Sequence, residues 1–147
     1  MIGDIYHSRV ARSDIHLLSK FGADITLCGP TDLVPDVATT LAPRLHLTRN
    51  LREAVAGKDV IMLLRVQKER FAGRAFSTDD YIAQYQLTPD LLRLARRDAL
   101  VMHPGPMIRG MELTDAVADG VRSLVLEQVA NGVPVRMAIL ARALGAA

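Results

Sequence analysis

Short apolar runs alternate along the chain with stretches in which apolar residues recur at helical spacing. The clearest run spans residues 59–66 and is nearly continuous in apolar residues, as expected of a buried central strand in a parallel sheet. Between Ser8 and Phe21 the apolar positions have helical spacing, and Gly22 follows as a stop signal. Alternation of this kind indicates βαβ units. It predicts a single α/β domain with a doubly wound, mainly parallel sheet and helices on both faces.

The same pattern places the remaining elements. The opening MIGDI reads as the end of a strand that turns at Gly3 and Asp4, and the polar stretch 67–79 reads as a long loop. Helical spacing continues to the end of the chain, where Gly132 and Pro134 favour one kinked helix or two helices. Further strands are predicted over residues 23–28, 45–48 and 99–102, and helices over 33–41, 51–56 and 88–97.

Composition narrows the class of protein. The chain has 147 residues, 50% hydrophobic and 23% charged, which suits one packed domain and excludes a disordered chain. A net charge of +2 gives no support for nucleic acid or an anionic membrane as partner. Neither a long apolar run nor a signal peptide is present in these residues, and a lone cysteine, Cys28, favours a reducing, cytoplasmic location.

Ligands of open parallel sheets bind beyond the carboxyl ends of the strands, and three such ends carry candidate residues. At the first, Arg9 begins a helix whose free N–H groups and dipole favour a carboxylate or phosphate. The alternative is that Arg9 is a solvated helix residue. At the second, Arg65 follows a buried strand, where a charge must be paired or bind a ligand, and Gln67 points to the same face. We expect Glu69 and Arg70 to form an ordinary loop ion pair.

The third end is the stiff turn HPGP. Pro104 and Pro106 fix the direction of backbone carbonyls, and Gly105 permits close approach of a ligand, so that the turn could accept hydrogen bonds from an NH₂ group. The alternative is a rigid turn without a ligand, supported by Arg109. No metal-ligand spacing, dinucleotide or triphosphate fingerprint or nucleophile elbow occurs, so neither metal nor cofactor is expected. An arginine-lined cleft suits a small dianion.

Four segments, taken in this order, resemble the second half of the aspartate carbamoyltransferase family: GDIYHSRVARS, LLRVQKER, HPGPMIRGMEL and VADGVRS with QVANGVPVRMAIL. The resemblance covers essentially residues 1–147. It implies a Rossmann-like aspartate-binding domain of an enzyme that joins carbamoyl phosphate to L-aspartate in pyrimidine synthesis, without metal or covalent intermediate.

The resemblance also implies roles. Arg9 and Arg65 would hold the two carboxylates of aspartate, with Gln67 alongside. The backbone of Gly105 and Pro106 would contact carbamoyl phosphate, and Pro104 stands where the ornithine-specific sister enzyme has cysteine, which favours aspartate. The pattern departs at Ile108, where the family usually has asparagine.

Family members are about twice this long, and their first domain binds carbamoyl phosphate. That domain is absent from these residues, so the resemblance implies half of a site in a chain that is inactive alone. The full-length enzyme is expected to be a homotrimer. The alternative is a non-catalytic assembly subunit derived from the family. The resemblance further implies that the final helix packs on the first domain. Without that domain, we expect an apolar face of the helix to be uncovered and the chain to self-associate or the helix to be displaced; this face comprises Val125, Val129, Val133, Met137 and Leu140.

Overall fold

The computed structural model describes residues 1–70 and 76–146. Within them, five parallel strands form one sheet in the order β3-β2-β1-β4-β5. The strands are β1 (Ile2–Gly3), β2 (Ile25–Cys28), β3 (Leu45–Thr48), β4 (Val60–Leu64) and β5 (Leu100–Met102). All five lie within or overlap the runs predicted from the sequence.

Six α-helices and two 3₁₀ helices lie between and after the strands in the described ranges. The α-helices are α1 (Arg9–Lys20), α2 (Leu51–Val55), α3 (Thr78–Tyr85), α4 (Pro89–Leu92), α5 (Asp115–Ala118) and α6 (Val125–Ala143). The 3₁₀ helices are Asp36–Leu41 and Lys68–Arg70.

From β1 the chain adds β2 and β3 on one side, and it then returns to add β4 and β5 on the other side of β1. The strand order therefore reverses between β1 and β4. Ile2 of β1 pairs with Cys28 of β2 on one side and with Leu63 of β4 on the other. Because crossovers are right-handed, the helices that precede and follow this reversal cover opposite faces. In agreement, α1 contacts the 3₁₀ helix Asp36–Leu41, whereas α2 contacts α4. The doubly wound α/β fold is confirmed.

Local signals in the sequence explain where several helices begin. The Ser8 hydroxyl accepts a hydrogen bond from the amide of Ala11 at 3.0 Å and caps α1. Thr88 caps α4 by accepting from the amide of Leu91 at 3.3 Å, and Pro89 occupies the first helical position. The predicted helix start at Thr88 is therefore correct.

The predicted long loop 67–79 is wrong at both of its ends, while residues 71–75 lie outside the described ranges. Its beginning folds into the 3₁₀ helix Lys68–Arg70, and α3 begins at Thr78. The helix starts there because the Ser77 hydroxyl accepts from the amide of Asp80 at 3.1 Å. Tyr81 and Tyr85, one turn apart, are buried in the core and hold α3 against it.

The helix predicted over 88–97 is shorter, since α4 ends at Leu92.

The carboxyl-terminal segment forms one helix, so the two-helix alternative is wrong. α6 runs continuously from Val125 to Ala143 with Pro134 inside it. The predicted uncovered face is present except at Val125, which is only 4% exposed because it faces the domain. The other four predicted members of the face are 49–65% exposed: Val129, Val133, Met137 and Leu140. None of the helices in the described ranges is long and apolar enough to cross a bilayer.

Candidate functional site

Three loops meet beyond the carboxyl ends of the strands, at the point where the strand order reverses. The first loop joins β1 to α1, the second follows β4, and the third follows β5 and contains the turn at 103–106. A reversal between adjacent parallel strands opens a crevice between their loops, and this is where α/β sheets bind ligands. The predicted site residues all lie on these three loops or at the first turn of α1.

Asp4 joins the first loop to the second. Its carboxylate is buried and accepts a hydrogen bond from the amide of His7 at 3.0 Å and from the amide of Gln67 at 3.2 Å. The side-chain amide of Gln67 in turn donates to the His7 carbonyl at 3.2 Å. These bonds hold Gln67 against His7, which lies two residues before Arg9 at the start of α1.

Arg9 is the first residue of α1 and is exposed. Among the residues that the structure describes, its guanidinium has no ion-pair or hydrogen-bond partner, whereas the neighbouring Arg12 donates to the Tyr6 carbonyl at 3.0 Å. An arginine held at a helix amino terminus without a partner is available to an anion.

Arg65 binds a carboxylate with both terminal nitrogens. Its Nη2 lies 2.5 Å from Oε1 of Glu69, its Nη1 lies 3.3 Å from Oε2, and its side chain is 32% exposed. The hydrogen bonds to Glu69 raise the pKa of Arg65 above its ordinary value and lower the pKa of Glu69. The expected pair of Glu69 with Arg70 is wrong: Arg70 Nε donates to Gln67 Oε1 at 2.7 Å instead. The physical reason is that Glu69 lies four residues after Arg65, within reach of its fork across the turn.

The third loop presents backbone carbonyls. Among the described residues, no hydrogen bond is donated to the carbonyl oxygens of Pro104, Gly105 or Pro106. Gly105 has a φ of +70° and its amide donates to Nδ1 of the buried His103 at 2.9 Å. The bond to His103 thus fixes the turn, while its three carbonyl oxygens accept no hydrogen bond from the described residues. Arg109 pairs with Asp115 and Asp119 (2.9 and 2.7 Å), which lie at the start of α5 and directly after it.

Sequence reasoning missed Glu112, which is fully buried. Its carboxylate accepts from the amide of Val66 at 3.0 Å and from the amide of Ile108 at 2.6 Å. An acid between the buried Met111 and Leu113 was the available signal, since buried carboxylates are rare without dedicated partners. The Ile108 side chain packs on the core while its amide makes this polar contact.

A sizeable cavity among the described residues lies away from this site. It has a volume of about 570 Å³ and is lined by Met1, Thr26, Lys58 and Val60 among others, at the amino ends of the strands. No cluster of three or more potential metal ligands occurs among the residues that the structure describes.

The three loops carry two arginines, Arg9 and Arg65, and a turn whose carbonyl oxygens accept no hydrogen bond from the described residues. Arginine forks match carboxylates and phosphates, and open carbonyls match N–H donors. The sheet order and its covering helices define a doubly wound α/β protein. Residues 1–143 match the family model described as "Aspartate/ornithine carbamoyltransferase, Asp/Orn binding domain", and the chain belongs to this family.

Relatives of known name agree with this assignment. The chain is 60% identical over 140 residues to an aspartate carbamoyltransferase catalytic subunit of Koribacter versatilis, covering 95% of this chain and 46% of the relative. It is 53% identical over 145 residues to the same subunit of Solibacter usitatus, covering 99% and 48%. The chain spans about half the length of the curated relatives that it matches.

Solved structures share the fold. Ornithine carbamoyltransferase from Pyrococcus furiosus superimposes with a TM-score of 0.81 at 29% identity, over 95% of this chain and 47% of that one. Aspartate transcarbamoylase from Trypanosoma cruzi, in complex with carbamoyl phosphate, gives a TM-score of 0.79 at 31% identity, over 95% and 47%.

Proposed function

We propose that this chain supplies the aspartate-binding half of an aspartate carbamoyltransferase site. One observation carries the proposal: Arg65 already binds a carboxylate with both terminal nitrogens, next to a loop that leads to Arg9, whose guanidinium has no partner among the described residues. In the proposed complex a carboxylate of L-aspartate takes the place of Glu69 on Arg65, and the second carboxylate binds Arg9. Gln67 is held alongside by Asp4 and His7.

Aspartate is favoured over ornithine as the acceptor. The side chain of ornithine carries an ammonium group, and two guanidinium groups in one crevice would repel it. The named relatives at 53–60% identity are aspartate enzymes, which supports the same choice. Pro104 occupies the position assigned to cysteine in the ornithine-specific enzyme.

The proposed reaction depends on positioning and electrostatics. The α-amino nitrogen of aspartate, as the free amine, forms a bond to the carbamoyl carbon, the bond from that carbon to the phosphate oxygen breaks, and the departing phosphate takes up the proton that the amine loses. The open carbonyls of Pro104, Gly105 and Pro106 would accept from the carbamoyl NH₂ group. The arginines would hold the acceptor in line with the donor.

The complete activity requires the domain that binds carbamoyl phosphate, because this chain matches only about half of each relative. In the proposed assembly the two domains close on the substrates, and the full-length subunits form a trimer. We place the reaction in cytoplasmic pyrimidine synthesis. The buried, unpaired thiol of Cys28 supports a reducing location.

Calorimetric titration of the chain with succinate, a dicarboxylate analogue of aspartate, tests the proposal. We expect saturable binding that Arg65→Ala weakens at least about tenfold, because one bidentate carboxylate contact is lost. Arg44→Ala is the matched control, since Arg44 also binds a carboxylate, that of Asp24, with two nitrogens. This pair lies at the amino ends of the strands, away from the loops that follow them. Absence of binding, or an equal effect of both variants, would refute the aspartate site.

An assembly subunit without catalytic function is the second candidate, and the exposed apolar side of α6 favours it. Mixing the chain with the carbamoyl-phosphate-binding half of the Koribacter versatilis relative distinguishes the two candidates. Restored carbamoyl transfer supports the half-site. A stable complex without turnover supports the assembly subunit.

A further inference from the structure

The buried carboxylate of Glu112 spans two loops of the crevice. Oε1 accepts from the amide of Val66 on the loop after β4, and Oε2 accepts from the amide of Ile108 on the loop after β5. At 3.0 and 2.6 Å both contacts have hydrogen-bond geometry, and the side chain has no exposed surface. A movement that separates the two loops lengthens at least one of these bonds unless the Glu112 side chain adjusts.

The two amides lie next to the groups that would contact the two substrates. Val66 stands between Arg65 and Gln67 in the chain, so its position sets theirs. Ile108 follows Pro106 by two residues, and a displaced Ile108 would carry the open carbonyls with it. The distance between the residues proposed to bind aspartate and those proposed to bind carbamoyl phosphate therefore depends on the carboxylate of Glu112.

A second element ties the same carboxylate to the turn. His103 Nδ1 accepts from the Gly105 amide, so this nitrogen carries no proton and Nε2 carries it. Nε2 lies 3.6 Å from Oε2 of Glu112 and has no hydrogen-bond partner among the described residues. The Nε2 nitrogen of His103 thus lies just beyond hydrogen-bond distance of Glu112. A small inward movement of the turn would let it donate to Oε2, which would give this carboxylate a third hydrogen bond.

We propose that Glu112 is a positioning residue that couples the aspartate-binding loop to the carbamoyl-binding turn; this inference rests on the proposed function above. Glu112 does not touch either substrate. It holds Val66 and Ile108 at a fixed separation, so that occupation of Arg65 is transmitted to the turn at 104–106.

The unmodified chain gives the first test, by amide hydrogen exchange followed by NMR. The amides of Val66 and Ile108 are expected to open together, with the same protection and the same denaturant dependence. Succinate bound at Arg65 should also slow the exchange of Ile108. Independent opening of the two amides, or an Ile108 amide that does not respond to bound succinate, would overturn the coupling without any variant.

Two variants sharpen the test. Glu112→Gln places an NH₂ group against one backbone donor, so protection at one or both amides should fall, and succinate affinity should fall about tenfold. Glu112→Asp is one methylene shorter and should keep the local bond to Ile108 while losing the bond to Val66. The Leu87 amide, which donates to the backbone carbonyl of Glu112 at 2.9 Å, should stay protected in both variants.

Glu127→Gln, at an exposed position in the first turn of α6, is the matched control and should change neither exchange nor affinity. Unchanged succinate affinity in both Glu112 variants, despite lost protection, would show that Glu112 only fills the core and would overturn its positioning role. If the unmodified chain fails to bind succinate, the proposed function fails. Joint opening of Val66 and Ile108 would then still establish the mechanical link between the loops.

Discussion

At the scale of single residues, the two arginines of the candidate site are easier to recognise in the sequence than the two buried acids that hold its loops. Arg9 stands at a loop-to-helix junction and Arg65 at a strand-to-loop junction, and the sequence marks both positions. Asp4 and Glu112 lie within apolar segments, and their importance rests on backbone amides that are 63 and 46 residues distant in the chain. Only the folded chain brings these donors to the carboxylates.

Cys28 yields a prediction at the same scale. The thiol lies at the end of β2 without exposed surface, and burial raises its pKa from 9.0 to about 11. Reaction with a disulfide reagent at pH 8.5 should therefore be slow in the native chain and complete in urea, because the thiolate is the nucleophile and the reagent needs access. Fast stoichiometric labelling of the native chain would contradict this burial.

The raised pKa of Cys28 also gives a dependence on pH. The unfolded chain loses the thiol proton near pH 9, while the folded chain keeps it up to about pH 11. The contribution of this group to the unfolding free energy is therefore complete below pH 9 and declines as the pH rises through 11. Denaturant titrations of the parent chain and of Cys28→Ala should show a constant difference below pH 9 and a change above it.

At the scale of elements, caps and buried pairs decide where helices form. α3 begins at the end of the stretch predicted as a loop and continues through residues to which the sequence assigned no element, because a serine cap starts it and two buried tyrosines one turn apart hold it. α6 continues through Pro134, although a proline lacks the amide that a helix interior requires. The sequence therefore missed α3, whereas for α6 it predicted a helix and left open whether Pro134 divides it.

The cap of α1 provides a prediction for an element. Ser8→Ala removes the oxygen that accepts from the Ala11 amide, and we expect the unfolding free energy to fall by about 1–2 kcal/mol. Since Arg9 begins this helix, succinate affinity should fall as well. Urea titration and calorimetry measure the two effects.

Ser13→Ala is the matched control for the cap. Ser13 is an exposed residue inside α1 whose hydroxyl donates to helix carbonyls, and alanine has the higher helix propensity. Its stability should therefore be unchanged or slightly raised, with unaltered affinity. If both serine variants lose the same stability, the cap is not the cause.

At the scale of the whole molecule, the sheet and its covering helices bury a continuous core, but α6 contributes little to it. Only Val125 of α6 is buried, while apolar side chains along the rest of the helix are about half to four-fifths exposed. Apolar surface of this extent promotes association in water. The chain by itself therefore presents a surface that another protein surface, or a second copy, would cover.

We predict that the chain self-associates through α6. Sedimentation velocity should show an average mass that rises with concentration, and the double variant Val133→Glu with Met137→Glu should remain monomeric because charges would have to be buried in the contact. Val121→Glu is the control: Val121 is fully exposed but lies outside α6, and this variant should associate like the parent. A monomeric parent at high concentration would contradict the prediction.

The sequence by itself determined the class of fold, the strand positions and the family, because hydrophobic periodicity and short motifs act over neighbouring residues. Arg9, Arg65 and the turn at 104–106 could be chosen for the same reason: each is marked by its own surroundings in the chain. The tertiary structure decided which groups meet. The pairing of Glu69 with Arg65, the burial of Val125 and the bridge made by Glu112 depend on contacts across loops and strands, and such contacts leave no local pattern.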